Sequence, residues 1–218
     1  LLVDPDHRRR GIGRRLMETA VAEGRRRGAI GLDATPVARP LYESMGFRTV
    51  HGLTRLQAVG LEARLASEPE AGGAEGVRPL KEEELQAAAA LDAAASGADR
   101  VLVLRDLHAR APQYSHGVWR GGRLAGFCLG RPGCRFDQLG PVVAPDAATA
   151  RALVVAVARR AGSRPLIADV PDVRQEFMAL LVRLGFYAQR PFSRMILGGA
   201  EGLEPSAALH VSAGPELG

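Results

Sequence analysis

Val3-Asp4-Pro5-Asp6-His7-Arg8-Arg9-Arg10-Gly11-Ile12-Gly13 lies near the N-terminal end of the chain. The residues around this stretch decide the fold class. Leu1 to Val3 reads as a short apolar strand, ended by Asp4-Pro5-Asp6. After the arginine- and glycine-rich loop, Leu16, Met17, Ala20 and Val21 fall on one helical face between Arg14 and Arg27, with Gly28 as the stop. Ala29 to Ala34 then reads as a strand, Pro36 to Met45 as a short helix closed by Gly46, and Phe47 to Gln57 as extended chain. Strand, loop, helix, strand, helix, strand marks an α/β unit.

Further along, Glu62 to Gly76 contains a polar, glycine-rich run without periodicity and reads as a linker. A second unit starts at Val77 with an alanine-rich helix, Lys81 to Ala95, and another from Asp99 to Ala109. Arg120-Gly121-Gly122-Arg123 is a hairpin signal between Ser115–Trp119 and Leu124–Leu129. Leu139–Val143, Arg151–Arg160, Leu166–Val170, Val173–Leu184 and Phe192–Leu197 continue the alternation. The tail from Gly198 reads as loose, with one last strand at Leu209 to Ala213.

The two halves repeat each other. Val3-Asp4-Pro5-Asp6 has a counterpart in Val143-Ala144-Pro145-Asp146, and Gly46-Phe47 in Gly185-Phe186. The proline-to-glycine spacing is 41 positions in the first half and 40 in the second, which argues for two copies of one unit. Only the first keeps a glycine-rich basic loop; the second has Asp146-Ala147-Ala148-Thr149 there.

Composition narrows the function classes. The chain has 218 residues and 23.1 kDa, with no apolar run long enough for a membrane-spanning helix. Two isolated cysteines, Cys128 and Cys134, suit neither a disulfide framework nor a zinc site, and His51, His108, His116 and His210 lack ligand spacing, so no metal is expected. Charged residues from Asp4 to Arg15 do not suit a secretory signal, which leaves a cytoplasmic protein as the reading. Of a net charge of +5, most comes from residues 1–30, where eight arginines face four acids, so an anionic partner should meet this end. A strand as the first element suggests that part of the first unit is missing.

A helix start leaves four N–H groups unpaired and carries partial positive charge, and arginines add charge-assisted bonds to phosphate oxygens. The loop is therefore a candidate pyrophosphate site, against an ordinary strand-to-helix turn with a solvated basic patch. A P-loop needs Gly-Lys-Ser/Thr, yet Lys81 is the one lysine; a dinucleotide fingerprint needs glycine where Leu16 stands.

Arg8-x-x-Gly11-x-Gly13 after a Val-x-Pro strand, followed by Ala38-x-x-Leu41-Tyr42-x-x-x-Gly46-Phe47, resembles the GCN5-related N-acetyltransferases (GNAT). The resemblance implies an α/β fold of the α+β sandwich type with two GNAT-like units, mixed sheets flanked by helices, the first unit truncated. Residues 1–60 would be the C-terminal half of an acetyltransferase domain, 61–76 a linker, 77–198 a second, divergent domain and 199–218 a tail. The whole resembles bacterial tandem-GNAT proteins.

For the site, the resemblance implies acetyl-CoA as acyl donor. Backbone amides of the loop, with Arg8, Arg9, Arg10, Gly11, Ile12, Gly13 and Arg14, would hold its pyrophosphate, while Leu2 and Val3 would pair with the pantetheine arm. An amine-bearing small molecule or peptide would attack the acetyl carbonyl directly, and Tyr42 would protonate the leaving thiolate, a phenol of pKa about 10 suiting a departing thiol. Thr35 stands where many relatives have asparagine. The second unit, with Asp172, Arg174 and Glu176 but no phosphate loop, is assigned no acetyl-CoA; it would shape the amine pocket, cover the first unit or pack against it. The acceptor stays open among polyamine, aminoglycoside, amino acid and protein amines. The alternative is a catalytically incompetent CoA-binding or interaction module. Nucleic-acid binding is disfavoured because only Tyr42 and Phe47 are aromatic in the first fifty residues.

Overall fold

The computed structural model describes residues 1–68, 76–199, 205–215 and 217. The first unit contributes helix α1 (Ile12–Gly24), strand β1 (Ile30–Ala34), a short helix α2 (Arg39–Glu43) and the long strand β2 (Arg48–Ala58), and a one-turn helix α3 (Glu62–Ala66) follows. The second unit runs β3 (Arg78–Pro79), α4 (Leu85–Ser96), α5 (Val101–Arg110), β4 (His116–Arg120), β5 (Arg123–Arg131), β6 (Asp137–Val143), α6 (Ala147–Ala161), β7 (Leu166–Pro171), α7 (Gln175–Leu184), β8 (Tyr187–Leu197) and β9 (Leu209–Val211). Every residue of β6 and β7 is buried, the polar Asp137, Gln138 and Asp169 included, as befits central strands covered on both faces.

The mixed sheet flanked by helices agrees with the expectation, but there is one sheet rather than two. Its order is β1-β8-β2-β7-β6-β5-β4-β3, with β9 attached to β6. The last strand of each unit has crossed over: β8 pairs with β1 of the first unit, and β2 pairs with β7 of the second. Between them β2 and β8 pair antiparallel, Leu53 opposite Phe192. Counting from Gly46 and Gly185, Leu53 and Phe192 are equivalent positions, so a local two-fold axis passes between them, perpendicular to the sheet. Both units therefore show the same face to the same side.

Two ion pairs obey this axis. Arg55 grips Asp169 through two bonds of 2.7 and 2.8 Å, both side chains buried, and Arg194 grips Asp33 at 2.5 and 3.0 Å. Each pair joins the crossed-over strand of one unit to the parent strand of the other. On one face α6 and α7 bury Leu153, Val157, Phe177 and Leu181; on the other α4 and α5 bury Leu85, Leu104 and Leu107 against Phe127 and Leu129.

Three expectations need correction. Leu1–Val3 forms no strand: among the described residues it has no ladder partner, and the Val3 carbonyl instead accepts from Arg8 Nε at 3.2 Å. The linker reading fails at its start, because α3 buries Leu65 and Arg159 caps its end through the Leu65 and Glu68 carbonyls; residues 69–75 lie outside the described residues. The tail is not loose over its described part, where His210, Val211, Ser212 and Ala213 are buried and Arg174 binds the Pro205, Ser206 and Leu209 carbonyls.

Candidate active site

At the predicted loop, a one-turn helix (Pro5–His7) leads into Arg8, Arg9 and Arg10. Arg9 is held at φ 62°, an uncommon conformation for a residue with a side chain that costs of the order of 1 kcal/mol. Gly11 follows at φ 75° as the N-cap of α1, a role its missing Cβ allows. No side chain caps this helix. Its hydrogen bonding begins with Arg15 N–H to the Gly11 carbonyl, so the amides of Ile12, Gly13 and Arg14 have no intrahelical acceptor. They border an open cavity of about 320 Å³ lined by Val3, His7, Arg8, Arg9, Gly11, Ile12, Gly13, Arg14 and Leu41.

The structure thus gathers seven of the nine residues expected to hold the donor. Leu2, 96 % exposed, and Arg10 are not part of the lining. His7 and Leu41 join it without having been chosen, although Leu41 stands beside Tyr42 in the later motif. Arg14 also bonds Ser44 Oγ at 2.6 Å, and Ser44 Oγ the Leu41 carbonyl at 2.6 Å, tying the start of α1 to α2.

Tyr42 sits on α2 in a small core with Met17, Val21, Ala34, Phe47 and Met195. Its ring meets Phe47 edge-on, centroids 5.9 Å apart. Burial raises its pKa, so the phenol keeps its proton at neutral pH. Thr35 Oγ1 accepts from the Ala38 amide at 3.3 Å; it is engaged with the turn that starts α2.

At the equivalent place in the second unit a cavity of about 330 Å³ lies beside Arg120, Asp146 and Thr149, but the helix start itself is capped. Asp146 caps α6 by accepting from the Thr149 amide at 2.7 Å, and Arg120 bonds both residues. A carboxylate fills the spot where an anion would sit. β6 and β7 pair in parallel only from Asp137–Leu139 to Leu166–Ala168; beyond that they part, and β9 enters the gap. Leu209 and Val211 pair with Val143 and Val142, and the Ser212 amide donates to the Asp169 carbonyl at 2.9 Å. Gly140 permits this close approach, since a Cβ there would lie 2.1 Å from the Ser212 carbonyl oxygen. Val143 is the counterpart of Val3, so its backbone partner is already supplied by the chain. Asp172 and Arg174 are likewise engaged inside the fold, with Thr54 and with the tail carbonyls.

The acetyltransferase (GNAT) domain model matches residues 88–210 and a second GNAT model matches residues 1–49. The chain belongs to the GNAT family. It is 26 % identical over 195 residues to the N-acetyltransferase YitH of Bacillus subtilis strain 168, itself uncharacterised, covering 86 % of this chain and 64 % of that protein; the chain thus spans less than two thirds of this relative's length. A crystal structure of a protein from Pyrococcus horikoshii superposes with TM-score 0.79 at 23 % identity, over 99 % of this chain and 69 % of that one. A tandem GNAT protein from the clavulanic acid biosynthesis pathway superposes with TM-score 0.56 at 16 % identity, over 93 % and 73 %. These superpositions bear on the GNAT fold. Among the described residues no group of three or more histidine, cysteine or acidic side chains could hold a metal ion, and no helix is long and apolar enough to cross a membrane.

Proposed function

We propose that this chain binds acetyl-CoA at the residue 8–14 loop and transfers the acetyl group to a primary amine by direct attack. The observation that carries this is the uncapped start of α1, whose free amides open into a cavity walled by Arg8, Arg9 and Arg14. Those amides and guanidiniums suit a pyrophosphate. The amine nitrogen attacks the thioester carbonyl carbon, the carbon–sulfur bond breaks, and Tyr42 gives its proton to the departing thiolate. The new amide sheds a proton from nitrogen to solvent. Tyr42 fits because its phenol stays protonated and sits on the helix whose Leu41 lines the donor cavity.

In this reading residues 1–60 supply the donor site and residues 77–198 form the second, divergent unit, closed at Asp146 and by β9. The setting is the cytoplasm, which suits an exposed free thiol at Cys134. The test is turnover of acetyl-CoA with a panel of primary amines, followed by release of free thiol. Loss of thiol release in Tyr42→Phe with acetyl-CoA affinity intact supports the reading; full activity in that variant removes Tyr42 from it.

A further inference from the structure

We propose that Ser44 is a positioning residue for the donor: it holds the Arg14 guanidinium at the donor cavity against the pull of Glu18, and so sets acetyl-CoA affinity from the end of the helix that carries Tyr42. The inference rests on the acyl-transfer reading and adds a residue which that reading does not use. Ser44 is the C-cap of α2. Its hydroxyl has one proton to give and donates it to the Leu41 carbonyl at 2.6 Å. With the oxygen fixed in this way, a lone pair accepts from Arg14 Nη2, also at 2.6 Å. Arg14 and Leu41 both line the donor cavity, whereas Ser44 does not. The serine therefore acts through Arg14 rather than on the donor itself.

Arg14 has a competing partner. Glu18 lies one turn further along α1, at the i,i+4 position, with Oε1 3.9 Å from Arg14 Nη1. A guanidinium carries five N–H donors in a planar fork, so a bond from Nη2 to Ser44 fixes the plane and leaves other N–H groups for phosphate oxygens. Without the serine hydroxyl, the Glu18 carboxylate draws the guanidinium along α1 and offsets its charge. A pyrophosphate then meets a weaker positive wall.

The capped unit has this arrangement undone. Counting from Leu16 and Leu153, Arg151 stands where Arg14 does; counting from Gly46 and Gly185, Arg183 stands where Ser44 does. Two guanidiniums repel and offer each other no acceptor, and Arg151 is bonded to Glu68 instead. A serine that receives the arginine is found only in the unit whose helix start is open.

The test measures acetyl-CoA affinity by calorimetry for the full chain and for Ser44→Ala, Ser44→Thr, Glu18→Gln and the double variant Ser44→Ala plus Glu18→Gln. Ser44→Ala should weaken binding by about five- to tenfold, as expected for the loss of one charge-assisted contact. Ser44→Thr keeps the hydroxyl and should bind as the wild type, and so should Glu18→Gln alone. The double variant should recover most of the loss, because a neutral amide no longer competes for Arg14. A merely loosened end of α2 would show no such recovery, since Glu18 belongs to α1. Unchanged affinity in Ser44→Ala, or a loss that neither Ser44→Thr avoids nor Glu18→Gln repairs, overturns the proposal. In the donor-free chain the Arg14 Nε–H signal, followed by NMR, should move in Ser44→Ala and stay in Ser44→Thr. A signal unmoved by Ser44→Ala overturns the proposal alone, whereas a moved signal in a chain that binds no acetyl-CoA overturns the donor reading and with it the role given to Ser44.

Discussion

At the scale of single residues, the proposed donor site depends on groups that are left free. Ile12, Gly13 and Arg14 have amides without intrahelical partners, and Tyr42 has a phenol that burial keeps protonated. Replacing Tyr42 by phenylalanine keeps the edge-on contact with Phe47 and removes only the proton donor. The expected result is a fall in kcat of about 10²- to 10⁴-fold with acetyl-CoA KM unchanged, read by steady-state thiol release. Three histidines set the acid limit of the fold. Burial is the largest cause of the lowering of His51, His116 and His210 to about 4. Their unfolded pKa is near 6.5, so between about pH 6.5 and 4 the unfolded chain binds more protons than the folded one. Stability should be fully present above that window and fall as pH drops through it. Thermal unfolding from pH 7.5 to 4 checks this; His210→Phe, which suits the apolar contact with Phe177, should flatten the fall.

At the scale of elements, the crossing of β2 and β8 rests on the ion pairs Arg55–Asp169 and Asp33–Arg194. Arg55→Leu leaves the Asp169 carboxylate buried, with Gln138 as its one remaining side-chain partner among the described residues, and should cost about 3–5 kcal/mol in chemical denaturation. Adding Asp169→Leu should recover most of that loss, because an apolar pair needs no counter-charge. None of this crossing could be read from the sequence. Periodicity located β1, β2, β7 and β8 to within a few residues, but which strand lies beside which depends on pairings more than 100 residues apart. Alternation says nothing about a neighbour that distant. The loop and α2 were legible because their glycines and Tyr42 belong to a short local motif. The α3 turn was missed because its five residues gain stability from α6 and Arg159 rather than from their own pattern. The Arg14–Ser44 contact gave no signal in sequence either, since its partners lie 30 positions apart.

At the scale of the whole molecule, a duplicated unit has come to do two different things. One copy leaves its helix start open, and the other closes its own with Asp146 and β9. Asp146→Ala should cost about 1 kcal/mol through the lost cap, yet create no second donor site, because β9 still fills the gap between β6 and β7. The most direct measurement is therefore calorimetric titration of acetyl-CoA into the wild-type chain and into a folded Gly11→Asp plus Gly13→Asp variant. One site per chain is expected, abolished in the variant by the two carboxylates placed at the start of α1. Two sites per chain, or binding that survives in the variant, would contradict it.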